Sequence, residues 1–365
     1  CTKTFKTCFF HRCKLGLWYT TYCEGDRGLT NNTPGQNEHE MNLKLTLLIF
    51  LIALFIFSLS TGHTTTSFSQ GITALYYGDG PLGTVMRQIR LPRAILAILV
   101  GASLGVCGAA LQGYLRNPLA EPGLIGVSGS AALGAVISLQ TGFATYVWMG
   151  LPIAAFSFAT LAVLLLLLLA GPRGSSLTLI LAGIAVSALA GAFTSLALNL
   201  SPNPYATSEI VFWLMGSLAD RSFEHVWLAL PFCLIGWLMI GSIGKALDAL
   251  TLGEDVASSL SISLTKTKLL LVFGVASSVG AATAVCGAIG FVGLVVPHLL
   301  RPLVKGKPST LLLVSGLGGA VMVLAADIAV RVILPDRDLK LGVLMAIIGA
   351  PLFLHLIYKT RSALQ

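Results

Sequence analysis

From residue 41 onward the chain alternates between ten apolar stretches and short turns that hold most of its charge. The first stretch follows Met41 as NLKLTLLIFLIALFIFSLS, and the second runs uncharged from Ala94 to Leu115. The others lie at about 124–139, 146–170, 177–200, 225–244, 269–289, 291–300, 311–332 and 341–358. At 1.5 Å per helical residue, a run of about 20 residues crosses an apolar layer of about 30 Å. The pattern therefore predicts an all-α, polytopic membrane protein of about ten transmembrane helices, the shorter runs tilted or crossing only in part. An even number puts both termini on one side.

The second stretch reads as the centre of the bundle. Gly101, Gly105, Gly108 and Gly113, interleaved with alanines, give a small-residue face on which another helix can approach closely. The segment RNPLAEPG, residues 116–123, carries two prolines and a glycine, which stop the helix and predict an ordered turn. Two loops read as elements of their own. Residues 201–221 hold too few apolar positions to span and predict a re-entrant or interfacial helix. Residues 245–268 predict a short helix after Gly253, with Glu254 and Asp255 at its amino end and Val256 and Leu260 on one apolar edge. Its polar face is acidic and serine-rich, which favours a docking element over a helix resting on headgroups.

Composition narrows the class. With 55% hydrophobic and 10% charged residues, a soluble domain is excluded. The net charge of +8 is spread over short loops, so nucleic acid is not a partner and lipid is. Eleven basic residues fall in the loops assigned to the cytoplasm and seven in the opposite set, a modest bias in the expected direction. Residues 1–40 differ from the rest, with Cys1, Cys8, Cys13 and Cys23 beside a single nearby His11 and no paired CxxC. They read as a polar extension outside the natural protein, leaving 41–365 as the transmembrane domain, with an uncleaved anchor after Met41.

Among the seven basic residues of the opposite face, Arg87, Arg90 and Arg93 enter the second span and Arg331 leaves the ninth. An outward ring of guanidinium groups suits an acidic partner, and snorkelling to lipid phosphate is the alternative. Asp327 stands four residues before Arg331, which favours a structural ion pair over a proton-coupling carboxylate.

The blocks RLPR, NPLAEPGLIGVSGSAA, LGEDVA, GFVGLVVPHLLRPL, ADIAVR and LGVLMAIIGAPLFLHLI, in this order over 41–358, resemble the permease family of binding-protein-dependent ABC importers for iron–siderophores, haem and vitamin B12. The resemblance implies a type II importer permease that forms a homodimer, docks a cytoplasmic ATP-binding subunit and receives cargo from a periplasmic substrate-binding protein. It implies that Arg90, Arg93 and Arg331 meet acidic groups of that binding protein. It further implies that Leu252, Gly253, Glu254, Asp255, Val256 and Ala257 form the coupling helix that fits the ATPase. One departure is the acidic insert Pro335-Asp336-Arg337-Asp338 beside Arg331.

The chemistry left to this chain is small. No GxxxxGK[ST], HExxH or GxSxG element is present, so hydrolysis belongs to a partner and the chain is read as non-catalytic. No cofactor is expected, since His298, after Pro297, reads as a side chain satisfied by backbone or water. The alternatives are a proton-coupled secondary transporter working through Asp327 and a lipid-acting membrane enzyme, and the spans lack the polar cluster that the enzyme needs. Cargo selectivity is not written in the spans.

Overall fold

In the computed structural model the described residues are 34–62, 73–74, 80–171, 176–201, 204–333 and 339–363. Residues 40–365 form one compact unit. The expected extension and its cysteines lie almost wholly outside the described residues, as does the insert at 335–338.

All regular structure among the described residues is helical, and each of the ten apolar runs is a helix. They are α1 (Pro34–Ser60), α2 (Leu91–Tyr114), α3 (Val127–Gln140), α4 (Gly150–Ala170), α5 (Ser176–Asn199), α7 (Phe223–Ser242), α10 (Leu264–Cys286), α11 (Val292–Leu300), α12 (Pro308–Ile333) and α13 (Leu341–Ala363). Among the short helices that connect them are α6 (Pro204–Leu214), α8 (Gly244–Leu250) and α9 (Glu254–Ser259). Seven of the helices are long and apolar enough to cross a membrane, whereas α3 and α13 contribute shorter apolar segments. The run expected at 291–300 is only the nine-residue α11, about 14 Å of helix, which does not reach across the bilayer alone.

Burial separates the centre from the rim. In α2, α10 and α12 between 72% and 78% of the apolar window is enclosed, against 11% in α1. The small residues of α2 explain its place. A Cβ on Gly105 would collide with the carbonyl of Ser315, and one on Gly101 with that of Gly319, so α2 and α12 lie backbone to backbone. Dispersion over this close antiparallel contact replaces the hydrophobic drive that lipid does not supply. Two polar links tie α2 to further spans. Trp237 Nε1 on α7 donates to Ser103 Oγ on α2 at 3.1 Å, and Cys107 Sγ on α2 lies 3.0 Å from Ser278 Oγ on α10.

The turn after α2 does more than stop the helix. Pro122 presses against Gly293 at the start of α11, and Gly293 in turn meets Gly108 of α2. Gly108 stands six residues before the end of α2, so the 116–126 segment folds back about 9 Å along that helix. The turn closes in one 3-10 turn at Pro122–Ile125, whose Pro122 and Ile125 are buried, as interrupted backbone among spans must be when it is enclosed by protein.

Candidate functional site

The arginines gather at one end of the α2–α12 pair. Ahead of α2, a short helix (Pro81–Val85) passes through one π turn (Met86–Arg90) in which the Leu91 N–H donates to the Met86 carbonyl, five residues back. Pro92 accounts for the wide turn: it has no N–H to give, and its ring would press on the carbonyl of Gln88 in a regular helix.

The last carbonyls of α1 lack helical partners, and α1 carries no basic residue in its own last turn. Guanidiniums from elsewhere take that role. Arg90 Nη1 donates to Leu59 O at 2.9 Å. Arg331 Nη1 donates to Ser58 O and Thr61 O, both at 2.9 Å, and Arg331 Nη2 reaches Ser58 Oγ at 2.6 Å. Positive charge at a helix carboxyl end also complements its dipole.

Asp327 joins the cluster together. Its Oδ1 accepts from Arg93 Nε at 2.9 Å, while Oδ2 lies 3.0 Å from Arg331 Nη2. The i,i+4 pair expected from sequence is present, and Arg93, from 234 positions away, is its second partner. The expected exposed ring differs from what is found. Arg90 is only 5% exposed and Asp327 fully enclosed, because the guanidiniums turn inward to the α1 carbonyls and to the shared carboxylate. A cavity of about 260 Å³ nevertheless opens beside them, lined by all three arginines with Gly62, Val85 and Ile89.

The loop read as a coupling segment lies at the opposite end of the pair. Gly253 adopts φ +112°, with open space where a Cβ would stand, and begins α9. Glu254 and Asp255 occupy the first turn of α9, as expected, and Ala257 is its buried anchor. Leu252, Val256 and Leu260 project outward, exposed by 67%, 42% and 58%. The segment is wired to the spans by two acids. Glu254 Oε1 accepts from Ser176 Oγ at the start of α5, at 3.0 Å, and Asp248 Oδ1 accepts from the Ser309 N–H at the start of α12, at 2.8 Å.

Sequence reasoning passed over a third group between these ends. Gln112 donates to the Leu294 carbonyl at 3.2 Å and accepts from Arg301 Nη2 at 2.9 Å, joining α2 to both ends of α11. Glu121 and Pro122 line a small pocket together with Phe291 and Gly293, which brings the folded-back turn against the start of α11. No local pattern marks these residues, since every partner is distant in sequence. His298 and Arg301 are part of the same α11 region, and among the described residues no metal-ligating cluster forms.

The two linked ends lie on one closely packed helix pair, and comparison with known proteins places the chain in a family. The profile of the FecCD transport family matches residues 49–359. The chain belongs to that family. Similar proteins include the Fe(3+)-citrate import system permease YfmE of Bacillus subtilis, 37% identical over 86% of this chain and 93% of that protein. The vitamin B12 import permease BtuC of Serratia proteamaculans is 36% identical over 90% and 96%. The molybdate import permease MolB of Haemophilus influenzae is 37% identical over 87% and 95%. A solved metal-chelate type ABC transporter, in an inward-facing conformation, superposes with a TM-score of 0.78 at 34% identity, covering 87% of this chain and 99% of its own. As a FecCD family member the chain is an ABC importer permease, a multi-pass transport subunit of the inner membrane.

Proposed function

We propose that this FecCD permease translocates an iron complex, siderophore or haem, or cobalamin, as a homodimer driven by a separate cytoplasmic ATPase and supplied by a periplasmic binding protein. The observation that carries the reading is the placement of the two candidate contact regions at opposite ends of the α2–α12 pair. At one end three guanidiniums border a cavity, a match for carboxylates of an acidic binding protein. At the other, Leu252, Val256 and Leu260 form an exposed apolar ridge with Glu254 and Asp255 beside it, suited to a groove on the ATPase. Iron citrate and vitamin B12 permeases among the relatives support the cargo class, while the molybdate permease widens it to other metal species.

The mechanism follows from stiffness. Closure of two ATPases displaces the coupling segments, and helices packed through glycine tilt as bodies rather than bend. Cargo handed over at the arginine end then meets a path that opens inward. The proton-coupled reading is disfavoured by Asp327, which is enclosed and shared by two guanidiniums, the setting of a staple rather than of a relay. Residues 1–40 are taken to play no part in transport.

The test is uptake by proteoliposomes that hold the permease with its ATPase and binding protein, offered radiolabelled iron citrate, haem, cyanocobalamin and molybdate in turn. Accumulation of an iron complex or cobalamin that needs ATP and both partners is expected. Accumulation by the permease alone under a proton gradient overturns the reading, and transport of molybdate only overturns the cargo.

A further inference from the structure

The coupling segment is held to the core by something other than its docking residues. α8 lies across the ends of α2 and α12: Leu247 is fully buried with its side chain 3.8 Å from a Cβ placed on Gly113, and Gly244 faces Ser309. Asp248 projects from this helix and accepts the Ser309 N–H at 2.8 Å. Ser309 is the second residue of α12, so a carboxylate from 61 positions earlier caps the positive end of a 26-residue helix. The link from α8 to α9 is short and braced. Leu252 N–H donates to Ala249 O and Gly253 N–H to Leu250 O, and Thr251 Oγ1 donates to the carbonyl of Asp248 itself at 2.7 Å.

We propose that Asp248 is the positioning residue through which movement of the coupling segment reaches the α2–α12 pair. The inference rests on the reading that the segment around Gly253 docks an ATPase. Displacing α9 carries α8 with it, because the braced turn leaves little slack. The charged hydrogen bond from Asp248 then draws the first turn of α12. Since α12 is fixed to α2 through Gly101, Gly105 and Gly319, the pull moves both helices together. Their far end holds Arg93, Asp327 and Arg331, so the same displacement arrives at the arginine cavity. Glu254 attaches the segment to α5 instead, a helix with little enclosed surface. The segment thus grips one central and one peripheral span, and separating them is what its movement does.

The experiment uses the permease assembled with its ATPase, the other cysteines replaced, and spin labels at Val332 beside the far end of α12 and Leu200 beside that of α5, both exposed. Pulsed electron paramagnetic resonance reads their separation without nucleotide and after ATP–vanadate trapping, with ATP hydrolysis measured on the same sample. With Asp248 intact the separation changes on trapping. In Asp248→Ala the trapped population is expected to fall about tenfold while hydrolysis stays within about twofold. Asp248→Asn, which keeps the acceptor oxygen and loses the charge, should fall about threefold, and it stands in if the alanine variant does not assemble. A full change in both variants overturns the role of Asp248 and leaves the docking reading intact. No change with Asp248 intact, despite hydrolysis, overturns both.

Discussion

At the scale of single residues, Asp327 is the point on which the arginine end depends. Arg93 and Arg331 are drawn from opposite halves of the chain to one enclosed carboxylate. Asp327→Asn leaves two largely enclosed guanidiniums without that charge, and removing one partner of a buried pair costs roughly 3–5 kcal/mol. A lower unfolding temperature in detergent, scaling with this loss, is the expected result. A normally stable variant that no longer transports would instead revive proton coupling. Arg93 is the most open of the three, with 17% of its side chain exposed. Arg93→Gln is expected to weaken binding-protein docking about fivefold at low ionic strength and much less at high, since a partly solvated charge acts mainly through screened attraction. Surface plasmon resonance across a salt series reads this directly, and a salt-independent affinity counts against docking at the cavity.

At the scale of elements, the α2–α12 contact is the stiff part. Its closeness depends on absent side chains: a leucine at Gly105 has to enter the space held by the Ser315 carbonyl. Overpacking of this kind costs about 1–3 kcal/mol when helices can shift, and here a shift would separate the two ends. Gly105→Leu is expected to lower thermal stability and to reduce ATP-driven uptake more than ATP hydrolysis. Equal loss of both would mean that the contact only holds the fold. The helix pattern itself was legible, because glycine spacing in 101–113 and a continuous apolar run need no partner to be read. The shortness of the 291–300 run was legible as well, but the fold-back at Pro122 was not. Apolar periodicity reports that a segment is buried in lipid or protein, but not how far across the layer it travels.

At the scale of the whole molecule, one rigid pair joins an arginine cavity to an exposed apolar ridge, and its orientation in the membrane is open to a direct check. A cysteine at Ile89, which is half exposed near the arginine end, should react with a membrane-impermeant maleimide in intact spheroplasts. A cysteine at Leu252 should react only after permeabilisation. Labelling of both from the same side would be incompatible with ATPase docking at one end and periplasmic delivery at the other.

The chain by itself determined a membrane-spanning helical protein, its central small-residue helix, the i,i+4 pairing of Asp327 with Arg331 and the helix that follows Gly253. Each of these depends on neighbours within a few residues, or on sheer apolar length, and both are visible along a line. Only the tertiary structure decided that Arg90 and Arg331 turn inward to finish α1, that Arg93 shares Asp327, and that Asp248 caps a helix 61 positions away. Those contacts exist because buried carbonyls, carboxylates and amide groups must find partners within the protein, and which partner is in reach is fixed by how the helices pack.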